Sequence, residues 1–331
     1  MRHKQIGINV LKIAVAAGLI SWLILSGRLD PGQLRELILS PDLLLAVVGY
    51  WLTGACILAS VRWYLLLRGA GYQIRWSEVL RLQLIGYLFN LAMPGAVGGD
   101  LVKVIYVIRQ NKDQGKAPAF MSILLDRVIG LSGLFFIGMI VALVAFGTLM
   151  EEPLLRPMLI SLFSLNLGIM IFFAAALWHY RGEDPILRLP GAGLPAFRGL
   201  RKVYESVRIY RYRRGTILAC FGLSLGNQLL GFSLFYFITI HLNQDGSGVP
   251  LAGLMTIFPI GMLSAAVPIA PGGLGVGHVA FDQLYGLIGL TGGANVFNLF
   301  TLSMLTLSTV GIIPYLRMKQ TQPGALAPVS E

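Results

Sequence analysis

Asp100 and Lys103 stand three residues apart directly after Gly98 and Gly99, at the end of the run Met93-Pro94-Gly95-Ala96-Val97-Gly98-Gly99-Asp100 and in the turn that follows. That spacing places both side chains on one face of a helix. Glycine amides and the positive end of the helix favour an anion nearby. Asp100 can also cap the first turn. The pair suits a phosphate bound by Lys103 with Asp100 orienting it; a local cap with a satisfied ion pair is the plainer reading of Asp100 and stays open. Lys103 resists the plainer reading, because a cation deep in apolar surroundings is expensive and faces an interior path. Asp126 and Arg127 form a second constellation within Ser122-Ile123-Leu124-Leu125-Asp126-Arg127-Val128-Ile129-Gly130. Neighbouring helix residues diverge by about 100°, so these two are not expected to pair with each other. One of them is expected to face the first glycine break, and Arg127, with its planar fork of donors, is the better phosphate ligand. The alternative sets both at headgroup level as anchors.

A second break, Ala270-Pro271-Gly272-Gly273-Leu274-Gly275-Val276-Gly277-His278, repeats the first without its charges. Pro271, Gly272, Gly273 and Gly275 offer backbone donors. Histidine is the side chain suited to sensing protons, which makes His278 a candidate, although a lone histidine reads first as a hydrogen-bonded helix residue. Gly275 to Ala280 has GxGxxA spacing, but no strand precedes it and a dinucleotide site is rejected. The chain carries no HExxH or GxxxxGK pattern, and Gly222-Leu223-Ser224-Leu225-Gly226, although it has GxSxG spacing, lies inside the apolar run 215–241 and not at a strand-to-helix turn, so no enzyme, metal centre or cofactor is expected. Cys56 and Cys220 lie alone in apolar stretches and are expected to pack rather than form a disulfide or redox site.

The elements that must position these residues follow from composition. Of 331 residues, 56% are hydrophobic and 12% charged, against roughly 25% charged in soluble domains. An all-α polytopic membrane protein is implied. The net charge of +11 does not indicate nucleic acid, because the basic residues fall between apolar spans. Runs near the ~20 residues that cross a bilayer place helices at about 7–26, 42–61, 119–147, 157–179, 215–241 and 294–316. The first run is too long for a signal-peptide core and has no cleavage pattern, so it reads as a spanning helix. Regions 77–109 and 250–290 hold the two breaks.

Basic residues in short loops stay cytoplasmic. If both broken regions return to the side they entered, Arg2, Lys4, Lys12, Arg62, Arg68, Arg75, Arg81, Arg109, Lys112, Lys116, Arg317 and Lys319 share one side with the loop 181–214. That loop has nine basic and three acidic residues. The reading is therefore six spanning helices and two re-entrant hairpins, with both termini cytoplasmic and the chain in the inner membrane. The hairpins enter from opposite sides, and Pro94 and Pro271 lie 177 residues apart. An inverted repeat is implied, with halves 1–150 and 151–320 and a short tail, 321–331. Paired glycine-interrupted segments in two halves point to the substrate site of a secondary transporter, and their tips must face protein or an aqueous cavity. Kinked spanning helices are the alternative. The cluster of Arg208, Arg211, Arg213 and Arg214 with Tyr204, Tyr210 and Tyr212 reads as interfacial anchoring, and Gly222 and Gly226 as a helix-packing GxxxG pair.

Taken in order, Pro94-Gly95 through Gly98-Gly99-Asp100 with Lys103, the Ser122 to Gly130 segment, and Pro271-Gly272-Gly273-Leu274-Gly275 resemble the flippase-like transmembrane domain of lysylphosphatidylglycerol synthases and their stand-alone relatives. The resemblance implies movement of an anionic or aminoacylated phospholipid, or another lipid-linked substrate, between leaflets. The bifunctional synthases add a soluble aminoacyl-transferase domain. This sequence ends about fifteen residues after its last helix, so lipid aminoacylation is not expected of it. On this reading Lys103 and Arg127 contact phosphate and Asp100 sets the lysine or receives a cationic headgroup. A carrier of small anionic solutes, a scaffold docking a lipid-modifying enzyme through the 181–214 loop, and self-association into a homo-oligomer stay open.

Overall fold

The computed structural model describes residues 39–92, 98–111, 116–144, 147, 156–180, 184, 195–243, 248–265 and 275–321. The expected helix at 7–26, the Pro94-Gly95 turn and Pro271, Gly272 and Gly273 lie outside them. Among the described residues all regular structure is helical, as a bilayer demands of a chain that must satisfy its own amides. Five helices are long and apolar enough to cross a membrane: Pro41–Gly69, Ala117–Ile140, Ile160–Leu177, Arg214–Leu242 and Gly293–Arg317. They match the five spans expected within the described residues.

In chain order, α1 is Pro41–Gly69, carrying a π-helical stretch at Trp51–Leu58. α2 is Trp76–Ala92, α3 Gly98–Gln110, α4 Ala117–Val144, α5 Arg156–Leu177, α6 Pro195–Arg208 and α7 Arg214–Leu242. α8 is Leu251–Ala265, α9 Val276–Leu287, α10 Gly293–Ser308 and α11, after a short 3-10 turn, Ile312–Thr321.

The sequence pattern ended α1 at residue 61 and counted Arg62 among loop arginines. The helix instead runs to Gly69 and buries Arg62 at 7% exposure. It tolerates the charge because a carboxylate meets it there. α1 stops at Gly71, whose φ of 96° glycine adopts without penalty. The Gly71 and Tyr72 amides donate back to the Arg68 and Leu67 carbonyls.

The last carbonyls of α1 have further partners from the far side of the sequence. Tyr210 donates its hydroxyl to the Leu66 carbonyl at 2.6 Å, and Arg213 donates to those of Arg68 and Gly69. Arg208 pairs with Asp184, which also accepts from the Tyr204 hydroxyl at 2.8 Å. Burial and that carboxylate hold the Tyr204 phenol well above its usual titration range, so it stays a donor. Tyr204 and Tyr210 are buried while Tyr212 is 70% exposed. The basic connector is thus partly structural. Tyr210→Phe is expected to lower stability by about 1 kcal/mol, read as a lower melting midpoint in detergent; an unchanged midpoint would show that the bond does no anchoring.

α2 and α3 run antiparallel. Lys103 reaches Gln83, Gly99 lies on Gly86, and a Cβ on Gly99 would meet the Gly86 carbonyl oxygen. α8 and α9 repeat the arrangement, with Gly261 on Phe281 and Gly277 on Ala265. At 1.5 Å per residue these helices reach roughly 18–26 Å, short of a ~30 Å hydrocarbon core. Each pair also packs on a helix remote from it in sequence. Gly311, in the turn before α11, sits on Leu84 and Leu88 of α2, and Gly138 of α4 sits on Pro259 of α8. Between them α1 and α7 cross antiparallel, with Tyr50 on Gly231 and Gly54 on Asn227. Of the expected GxxxG pair, Gly226 meets Leu58, whereas Gly222 has no neighbour within 4 Å of a built Cβ among the described residues.

Candidate functional site

The site is built where α3 begins. Gly99 donates its amide to Asn90 Oδ1 of α2 at 2.8 Å, and the lack of a Cβ lets α3 lie directly on the Gly86 backbone. This register aims Asp100 and Lys103 at α1, α2 and α4. Lys103 Nζ lies 2.8 Å from Asp100 Oδ1, donates to Gln83 Oε1 at 3.2 Å, and sits 4.9 Å from the centre of the Trp63 ring. It is 5% exposed. A lysine so deep needs such partners, and here a carboxylate, an amide oxygen and the face of an indole surround its ammonium. Trp63 is itself fixed by donating to Ser122 Oγ at 3.3 Å.

Arg127 of α4 closes the cluster from outside. Its Nε donates to Asp100 Oδ2 at 2.6 Å while its side chain stays 44% exposed. Two cations thus share one carboxylate, so these three side chains together carry one positive charge beside the first turn of α3, where the helix dipole adds to it. As expected, Asp126 and Arg127 do not pair with each other. Asp126 turns to Arg62 of α1, which forks onto it through Nε at 2.6 Å and a terminal nitrogen at 3.0 Å. Arg62 also donates to Ser224 Oγ of α7 at 3.3 Å, and Ser224 donates to the Ile129 carbonyl. Adjacent residues of α4 therefore serve two jobs: Asp126 ties α1, α4 and α7 together, and Arg127 faces the first helix pair.

Sequence reasoning missed Arg62, Gln83 and Asn90. A signal for Arg62 existed, since an aspartate inside a spanning helix needs a cation and Arg62 lies in the apolar run Leu58 to Leu67. Gln83 and Asn90 carry no comparable signal, because polar amides are unremarkable in a helix pattern. The structure sets His278 apart from the charged cluster in its partners. Gly275 donates its amide to His278 Nδ1 at 3.2 Å, which makes Nε2 the protonated nitrogen, and that faces Asn298 Oδ1 at 3.2 Å. Its ring stands edge-on to Phe297. Gly275 opens α9 with φ 89°.

Beyond Arg127, α4, α5 and α6 enclose an apolar groove of ≈ 620 Å³. Val128, Leu165, Ile169 and Phe172 line it, with Arg201 and Tyr204 of α6 at its edge, and its surface is almost wholly apolar.

Fold and cluster together define a polytopic helical membrane protein with a buried, net-cationic site at the start of a short broken helix. The family described as the lysylphosphatidylglycerol synthase TM region matches residues 9–313, and the chain belongs to it. A UPF0104 membrane protein of Methanothermobacter thermautotrophicus is 22% identical over 294 residues, 83% of each chain. A UPF0104 membrane protein of Pyrococcus horikoshii is 30% identical over 88 residues, 26% of each chain. The chain thus aligns with about a quarter of the Pyrococcus protein's length. No solved structure matches the chain.

Proposed function

We propose that this protein is a lipid transporter of the inner membrane that carries a phosphate-bearing lipid between leaflets, without covalent chemistry. The observation that carries the reading is Arg127, a half-exposed guanidinium held on Asp100 with buried Lys103 behind it. A phosphate arriving from the membrane meets the exposed part of that guanidinium and the positive end of α3. The apolar groove on the same helix favours a lipid over a small solute, because acyl chains need a dry surface beside the headgroup site. The scaffold reading is disfavoured by the connector itself, where Arg208 and Arg213 are already engaged with Asp184 and with α1 carbonyls.

In this proposal the two short antiparallel pairs are re-entrant hairpins of an inverted repeat, with halves 1–150 and 151–320 and both termini cytoplasmic. Support comes from the repeated helix order, the matching antiparallel packing of each pair and the exchange of each pair onto the other half's last helix. Rocking one half against the other gives alternating access.

The test is leaflet transfer of headgroup-labelled lipids in proteoliposomes. Wild type is expected to exceed protein-free vesicles, and Arg127→Ala and Lys103→Ala to slow transfer by roughly 10–100-fold, the worth of a charge-assisted hydrogen bond, while melting temperature shows the variants folded. Transfer equal to protein-free leakage in all three proteins would remove the transport reading.

A further inference from the structure

We infer that Nδ1 of His278 is a proton-binding site, and that a proton bound there releases the first turn of α9 while the helix stays docked on α10; this holds whatever the protein transports. The ground is what each ring nitrogen does. Gly275 donates its amide to Nδ1 at 3.2 Å. A backbone N–H can only donate, so Nδ1 offers a lone pair and carries no proton. This is the half of a capping box that a glutamate or glutamine supplies from the third helical position. Gly275 is held there at φ 89°, and the Val279 amide makes the first bond of α9 onto its carbonyl at 3.1 Å.

A proton on Nδ1 turns the acceptor into a second donor facing the Gly275 amide, and the cap is lost. The ring then also carries a positive charge at the positive end of the helix, where a cation is unfavourable. Nε2 donates in either state, so its bond to Asn298 Oδ1 at 3.2 Å survives. The ring also keeps its edge-on contact with Phe297, which lies on Gly277 and stacks on Phe281. Release is therefore confined to the turn at Gly275. Of the helices packed on α9, α8 and α10 carry no Asp, Glu, Lys, Arg or His. α7 meets α9 through Phe235 on Phe281 and Thr239 on Tyr285. α9 itself brings one carboxylate, Asp282, exposed one turn beyond His278. Histidine is the side chain that ordinarily changes charge between about pH 5 and 8, so the cap answers to physiological changes in acidity.

The experiment is hydrogen–deuterium exchange on the full chain in nanodiscs at about pH 5.5 and about pH 7.5, on either side of the ordinary histidine titration, with each rate divided by the intrinsic rate at that pH. In the wild type the Gly275 and Val279 amides are expected to exchange roughly fivefold faster at the lower pH, one hydrogen bond's worth, while the amides of α10 do not change. His278→Gln keeps an acceptor in the same place at either pH and is expected to remove the dependence. Equal protection at the two pH values in the wild type overturns the inference, as does an acceleration that spreads through α10 or that His278→Gln retains. The wild-type comparison decides the matter even if the variant fails to fold.

Discussion

Arg62→Ala is expected to yield almost no folded protein. The substitution leaves Asp126 charged and alone between three helices, and breaking one partner of a buried pair costs about 3–5 kcal/mol, a large share of a total stability of about 5–15 kcal/mol. The loss reaches further than one bond, because Arg62 also binds Ser224 and so joins α1 to α7 as well as to α4. Size-exclusion profiles and thermal melts in mild detergent should show an aggregated or early-melting protein. The double replacement Arg62→Met with Asp126→Leu removes both charges at similar volume and is expected to regain most of the lost stability. A monodisperse Arg62→Ala protein with a normal melting temperature would mean that the pair does not hold these helices together.

Gly99→Ala carries the second large effect. Its Cβ would run into the Gly86 carbonyl oxygen, and the obstacle is backbone on both sides, so α2 and α3 must separate. Overpacking of this kind costs about 1–3 kcal/mol. It also breaks the approach that lets Gly99 bond to Asn90 and lets Lys103 lie against Gly86. Lipid transfer is therefore expected to fall with stability. Gly222→Ala is the control, because among the described residues nothing lies within 4 Å of that position; removing a helix-interior glycine there is expected to leave the protein unchanged or up to about 1 kcal/mol more stable. Equal behaviour of the two variants would show that close approach at Gly99 is not what builds the site.

Five spans, the two broken regions and the charged residues of the site were legible because they depend on local rules. A bilayer of fixed thickness selects apolar runs of fixed length, and Pro-Gly clusters interrupt a helix wherever they occur. The divergence of Asp126 and Arg127 was legible for the same reason, since helix geometry alone sends adjacent side chains apart. Arg62 was misplaced because the positive-inside rule counts arginines without knowing their partners. Its partner lies 64 residues away and is brought to it only by the packing of α1 on α4. Gly222 was misread because a GxxxG spacing marks a small-residue stripe but not which neighbour, if any, lies against it.

By itself the sequence determined the membrane setting and the order of the long apolar helices, since both follow from hydropathy along the chain, and it singled out Asp100, Lys103 and Arg127, which the structure brings into one charged cluster. Only the tertiary structure decided which charge meets which, that Lys103 is sealed behind Gln83 and Trp63 while Arg127 stays half-exposed, and that Asp100 and Asp126 are each ion-paired. In a low-dielectric interior the energy of a charge is set by neighbours within a few ångströms, and those neighbours come from helices remote in sequence.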